Sequence, residues 1–198
     1  MLWLHAEWLE WLFILFKIGG DYMNYIMKLG VLYKGNFEKD IAKIRSAIIG
    51  TEKNIYVHEN EWIAKTNIRN LNPDNGNSGD VRFREYVMLD REGRVIVSGY
   101  PDYAKEENPD EVGWPAVRVP KVDHAEIYIE EERYILEMHD SQNYSLMDSN
   151  GKIILQIMHK GICGGWNLVT DYNFLPEIIC GLFLFCRYIE KENELLII

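Results

Sequence analysis

Residues 86–97 read YVMLDREGRVIV and residues 144–155 read YSLMDSNGKIIL, and the two stretches align without a gap at an offset of 58 residues. Tyr86 matches Tyr144, Asp90 matches Asp148, Gly93 matches Gly151, and a basic residue with an aliphatic run follows each glycine. Each copy has the composition of a β-hairpin: an aspartate to accept from the amides of its own turn, a glycine able to take positive φ, and apolar strands on both sides. An Asp-x-x-Gly turn also arises by convergence, but the shared tyrosine and aliphatic run exceed what a turn demands, which favours duplication.

The same grammar extends outward in both directions. From Asn54 the chain is a series of short alternating runs, among them NIYVH, EWIAKTNIR, RVIVSGY, AEIYIE, RYILEMH and KIILQIM, divided by Gly, Pro, Asn and Asp clusters. Residues 70–80 and 101–113 read as the two long loops. Upstream, Phe37, Ile41, Ile44 and Ile48 recur at spacings of four, three and four, with Asn36 to cap and Gly50 to stop, which predicts an amphipathic helix over 37–49.

Downstream, FLPEIICGLFLFCRYI (174–189) is apolar around nearly its whole circumference, with Pro176 and Glu177 at its start and Arg187 and Lys191 near its end. That pattern predicts a buried helix over about 174–190, and its uninterrupted core, Ile178 to Cys186, is too short to cross a bilayer. Gly181 in its middle is expected to admit the close approach of another backbone.

Two related β-rich halves on the pattern Tyr-x-x-apolar-Asp-x-x-Gly-basic-aliphatic, ending in one apolar helix, resemble the tubby C-terminal-like superfamily, which includes the LURP-one-related proteins and the phospholipid scramblases. The resemblance covers roughly residues 54–198. It implies an α+β fold, mainly β: a closed antiparallel barrel of two related halves around the hydrophobic C-terminal helix, here with the amphipathic helix near the N-terminus. The family's functional parts have no counterpart in the linear sequence. No run of basic residues matches the phosphoinositide contacts of tubby proteins, and no cysteine-rich stretch matches the scramblases, so the resemblance carries over the fold and no site residue.

The N-terminal sixteen residues, MLWLHAEWLEWLFILF, are strongly apolar but contain His5, Glu7 and Glu10. They make a poor signal peptide and fall short of a membrane span. Residues 1–22 are therefore read as an upstream extension of the reading frame, with MKLGVLYKGNF from Met27 resembling an ordinary cytosolic start, and residues 23–198 as one domain.

Charge narrows the function. Among 198 residues, 31 acidic side chains face 21 basic ones, for a formal charge of −10. Such a surface repels nucleic acid and anionic lipid, so no nucleic-acid partner is expected. Most of the excess lies between Pro101 and Asp140, where twelve carboxylates accompany four basic residues. A charge run ordinarily serves solubility; the sharper reading is a docking surface for a basic protein, using Glu106, Glu107, Asp110, Glu111, Glu130, Glu131 and Glu132, with Trp114, Tyr100 and Tyr103 as aromatic anchors.

Catalytic signals are weak. No phosphate-binding glycine string or nucleophile elbow occurs, and no cofactor or metal is expected. His124 and Glu126 would share one face of a strand, but they, His139 and His58 read as surface histidines and their neighbours. Cys163, in HKGICGGWNL, resembles the papain nucleophile region only superficially, since no histidine follows it. Cys180 and Cys186 belong to the buried helix, and three cysteines without a pairing pattern fit a reducing, cytoplasmic setting. The expectation is a non-enzymatic binding or scaffold module. Its alternatives are a peripheral membrane protein or an acidic, immunity-type inhibitor of a basic protein.

Overall fold

The computed structural model describes residues 22–35, 39–46, 51–58, 61–71, 84–103, 122–140, 142–161 and 164–193. Twelve antiparallel strands close into a barrel: β1 (Met23–Lys28), β2 (Val31–Lys34), β3 (Lys39–Ser46), β4 (Lys53–His58), β5 (Glu61–Asn70), β6 (Arg84–Asp90), β7 (Val95–Tyr103), β8 (Val122–Ile129), β9 (Glu132–Asp140), β10 (Asn143–Met147), β11 (Ile153–His159) and β12 (Trp166–Thr170). Each strand pairs with its neighbours in sequence, and β1 pairs with β12, from Met23 opposite Thr170 to Met27 opposite Trp166. The ring therefore presents no unpaired strand edge.

Strand alternation decides what fills the ring. Tyr25, Met27, Leu32, Ile55, Ala64, Met88, Val97, Ala125, Ile127, Leu136, Leu146, Leu155 and Leu168 point inward and are buried. They pack around one helix, α1 (Pro176–Asn193), which enters after β12 and runs up the bore. Ile179, Cys180, Leu182, Phe185 and Ile189 are wholly buried, as a helix apolar on all sides requires. Fully burying each large aliphatic or aromatic side chain is worth about 1.5–3 kcal/mol, and α1 contributes more such residues to the core than any one strand. The helix end is tied to the wall by Asn193, whose Nδ2 donates to Val122 O and whose Oδ1 accepts from Val122 N.

The expected buried helix is thus present, with Pro176 as its first residue. Gly181 does admit a close neighbour, but that neighbour is a side chain: a Cβ built there would lie 2.5 Å from Met88 Sδ. The repeated hairpins also take matching forms. In β6–β7 the Asp90 amide donates to Arg94 O and the Gly93 amide to Asp90 O, and in β10–β11 Asp148, Lys152 and Gly151 reproduce both bonds. Gly93 and Gly151 have φ of +81° and +77°, the conformation that requires glycine there. The two tyrosines that open the repeats, Tyr86 and Tyr144, are both buried against the helix half of the core, and neither hydroxyl meets a hydrogen-bond partner among the described residues.

One expected element is different. The described part of residues 37–49 is not helical but forms β3, which pairs with β2 and β4. Only Ala42 is fully buried there, while Ile41 and Ile44 pack partly against the core. The isoleucine spacing suits either element locally. Without β3, the edges of β2 and β4 would be left open, so tertiary pairing overrides the local preference.

Met27 sits inside β1, opposite Trp166 and 1% exposed, so β1 and ring closure depend on residues upstream of it. A chain beginning at Met27 should lose cooperative unfolding in urea, whereas one beginning at Met23 keeps it. Gly181→Ala should cost about 1–3 kcal/mol through overpacking. The cost should shrink in a Met88→Ala background, measured as a double-mutant cycle by urea denaturation.

Candidate functional site

Strand direction gives the barrel two distinct mouths. The turns after β2, β4, β6, β8 and β10 gather at one, where α1 enters; the connections after β1, β3, β5, β7, β9 and β11 gather at the other, where α1 ends. Because α1 occupies the bore, binding chemistry falls to the mouths and the outer wall.

At the mouth of entry, Glu130 and Glu131 form the tip between β8 and β9, and both are exposed. Glu130 has φ of +56°, an unusual conformation for a side-chain-bearing residue and one suited to a tight two-residue turn. Glu132 accepts a hydrogen bond from the Tyr134 hydroxyl. Burial, then the Glu132 carboxylate, pushes the Tyr134 phenol up, so it remains a donor. Tyr172 interacts electrostatically with Tyr134 and stacks obliquely on Phe174, with ring centroids 4.9 Å apart. Tyr172 and Leu175 are 45% and 61% exposed. Three carboxylates thus share a rim with two exposed apolar side chains, which the sequence reading had not singled out.

Glu106, Glu107, Asp110, Glu111 and Trp114 lie outside the described residues. The segment that carries them leaves the barrel at Tyr103 and returns at Val122, both at the mouth where α1 ends. Between Val122 and the Glu130–Glu131 tip runs the whole of β8, eight residues and about 25 Å at roughly 3.3 Å per residue. The described ends of this segment, Tyr103 and Val122, therefore lie at the mouth opposite the Glu130–Glu131 tip, because antiparallel strands send successive connections to opposite ends.

On the wall between the mouths, His124 and Glu126 do point the same way, outward from β8. Asp123 Oδ1 lies 2.5 Å from His124 Nδ1 and Asp102 Oδ2 lies 3.2 Å from its Nε2. Glu126 instead pairs with Arg133 and accepts from the Tyr128 hydroxyl. On neighbouring β9, His139 Nε2 is 2.8 Å from Ser145 Oγ, but Ser145 is only 1% exposed. Asp140, next to that imidazole, is engaged with the Gln142 amide and Asn143 Nδ2. These pairs have the arrangement of strand-to-strand ties. No group of three His, Cys, Asp or Glu side chains among the described residues could hold a metal ion.

Cysteine chemistry fares no better. Burial pushes the Cys180 and Cys186 thiols well above their ordinary range, away from the reactive thiolate. Cys163 lies outside the described residues. Tyr100, expected as an anchor, is partly exposed on β7 and donates to Glu85 Oε1 at 2.8 Å. Tyr103 sits at the far end of the same strand and packs against the core. No family model and no curated protein matches the chain.

The Arg133 guanidinium, through its hydrogen bond, holds the Glu126 carboxyl below its ordinary value of 4.5. A carboxyl lowered in the folded state adds stability that is present above the unfolded value and is lost as pH falls through the folded one. Arg133→Gln should move the Glu126 titration upward, read by carboxyl NMR, and should remove part of the loss of stability on acidification below about pH 5.

Proposed function

We propose that this chain is a non-enzymatic binding module, a barrel of the tubby-like type, that holds a cationic protein partner at the mouth where α1 enters. The observation that carries this reading is the filling of the bore by α1, whose residues 178–186 are all buried. A barrel filled in this way holds its ligand on its outside.

At that mouth, Glu130, Glu131 and Glu132 share the rim with the exposed Tyr172 and Leu175, a combination of steering charge and apolar contact suited to a basic surface. The formal charge of −10 raises the encounter rate with such a partner and repels nucleic acid. An acidic inhibitor that masks a cationic site on another protein is the form of this reading closest to the chemistry.

The membrane alternative draws less support. No helix among the described residues is long and apolar enough to cross a bilayer, and the apolar surface of α1 is spent inside the barrel. The outer wall carries Lys65, Glu126 and Glu137 where a lipid-facing barrel carries an apolar band.

Polylysine serves as the probe. The full chain should bind it at about 50 mM salt and release it by about 300 mM, the range over which screening shortens below 10 Å. Replacing Glu130, Glu131 and Glu132 together by glutamine should weaken binding about tenfold with the unfolding transition unchanged. Binding that is indifferent to both salt and these substitutions rejects the reading.

A further inference from the structure

Read along the chain, the basic residues are scattered; the barrel collects four of them on one stretch of wall. Ala42, Ile55, Ala64 and Thr66 face the core, so Lys43, Arg45, Asn54, Tyr56, Lys65 and Arg69, which alternate with them, face out, and an irregularity in register between Ile55 and Tyr56 brings Trp62 opposite Tyr56. Lys43, Tyr56 and Trp62 share one register row across β3, β4 and β5. Arg45, Asn54 and Lys65 share the next, and Arg69 follows on the same face of β5. With strands about 4.8 Å apart, Arg45 and Lys65 stand about 10 Å from each other, two strands apart in one row of one surface.

Aromatic side chains lie against two of these four cations. The Arg45 guanidinium lies 4.7 Å over the Tyr56 ring and the Lys65 ammonium 6.0 Å from the Trp62 ring. Three carboxylates lie on or beside these strands: Asp40 at 2.9 Å from Lys43, Glu52 at 3.3 Å from Lys65, and Glu61 on β5, which is offset by Arg91 of the next turn at 2.7 Å. Glu85, beside Arg69 in register, is turned to the Tyr100 hydroxyl. Four cations against Asp40 and Glu52 leave this wall positive on a molecule whose formal charge is −10.

We propose that the outer wall of β3–β5 is a docking surface for an acidic peptide segment of a partner protein. Charge complementarity selects the sign, and the size of the patch selects the class. At physiological ionic strength the screening length is about 8 Å, so a short acidic segment lying on the wall meets chiefly these cations. A nucleic acid or an anionic membrane extends past the patch onto the acidic remainder and is repelled there. The closed ring has no strand edge to extend, so recognition runs through side chains. A guanidinium laid flat on an aromatic ring keeps its N–H edges free for a carboxylate. The surface is separate from the Glu130–Glu132 rim and stands whether or not that rim binds a cationic partner.

The test uses the full chain and a fluorescent, glutamate-rich peptide of about twelve residues, followed by anisotropy at about 50 mM salt. Saturable binding is expected. It should weaken about tenfold in Lys65→Glu/Arg69→Glu and again in Arg45→Gln/Arg69→Gln, two pairs of outward-facing residues whose unfolding transitions check the fold. The glutamine triple variant at 130–132 should keep peptide affinity while losing polylysine, so failure of either surface is read separately. Absence of peptide binding by the unaltered chain overturns the proposal, as does binding undiminished in both wall variants. If oligo(dT) or phosphatidylserine vesicles bind at this wall and the peptide does not, the occupant belongs to another class and the proposal falls.

Discussion

Closure of β1 on β12 around α1 is the constraint from which the rest of the structure follows. The ring satisfies the backbone of each strand on both sides, which removes every sheet edge. In return it encloses a bore that must be filled, and a barrel of twelve strands is too wide for its own wall side chains to fill. The apolar helix solves this from within: Ile179, Leu182, Phe185 and Ile189 meet inward residues from many strands at once. Helix and ring are therefore not independent elements, and loss of either exposes the apolar face of the other.

This packing has identifiable points of tension. Gly181 is needed because Met88 already occupies the space beside it. Tyr86 and Tyr144 bring hydroxyls into the core without a described partner, and burial pushes both phenols strongly upward. Their rings supply the packing, with Tyr86 5.7 Å from Phe185 and 5.4 Å from Tyr188. The phenol of Tyr188 is better served, lying 2.8 Å from the Thr66 hydroxyl. That the two partnerless hydroxyls occupy matching places in the sequence repeat shows that what the repeat preserves is a hairpin with a large ring beneath it.

A bore filled with helix also governs where interactions with other molecules can occur. Charge on this barrel is distributed by strand, giving a cationic sector on β3–β5 and a largely acidic one on β7–β9, with the Glu130–Glu131 tip at one mouth. The histidines follow the same logic. His124 and His139 lie on adjacent strands of the outer wall, yet each is held by its own neighbours, Asp102 and Asp123 for one and Ser145 for the other. Proximity in the sheet did not produce a shared reactive centre.

Local sequence determined the hairpins, the buried helix and the β-rich body, because turn chemistry and apolar periodicity act between residues close in the chain. Asp90 and Gly93 build their turn wherever it is placed, and a helix apolar on all faces has to be buried somewhere. Residues 37–49 show the limit: their spacing suits a helix, and only the open edges of β2 and β4 turn their described part, Lys39–Ser46, into β3. The surfaces were decided entirely by tertiary structure. Lys43 and Lys65 stand in adjacent rows because β3, β4 and β5 pair in a particular register, while Glu130 is parted from the ends of the 104–121 segment by the length of β8. Which side chains become neighbours on a sheet depends on long-range pairing and ring closure, and no local pattern in the sequence encodes either.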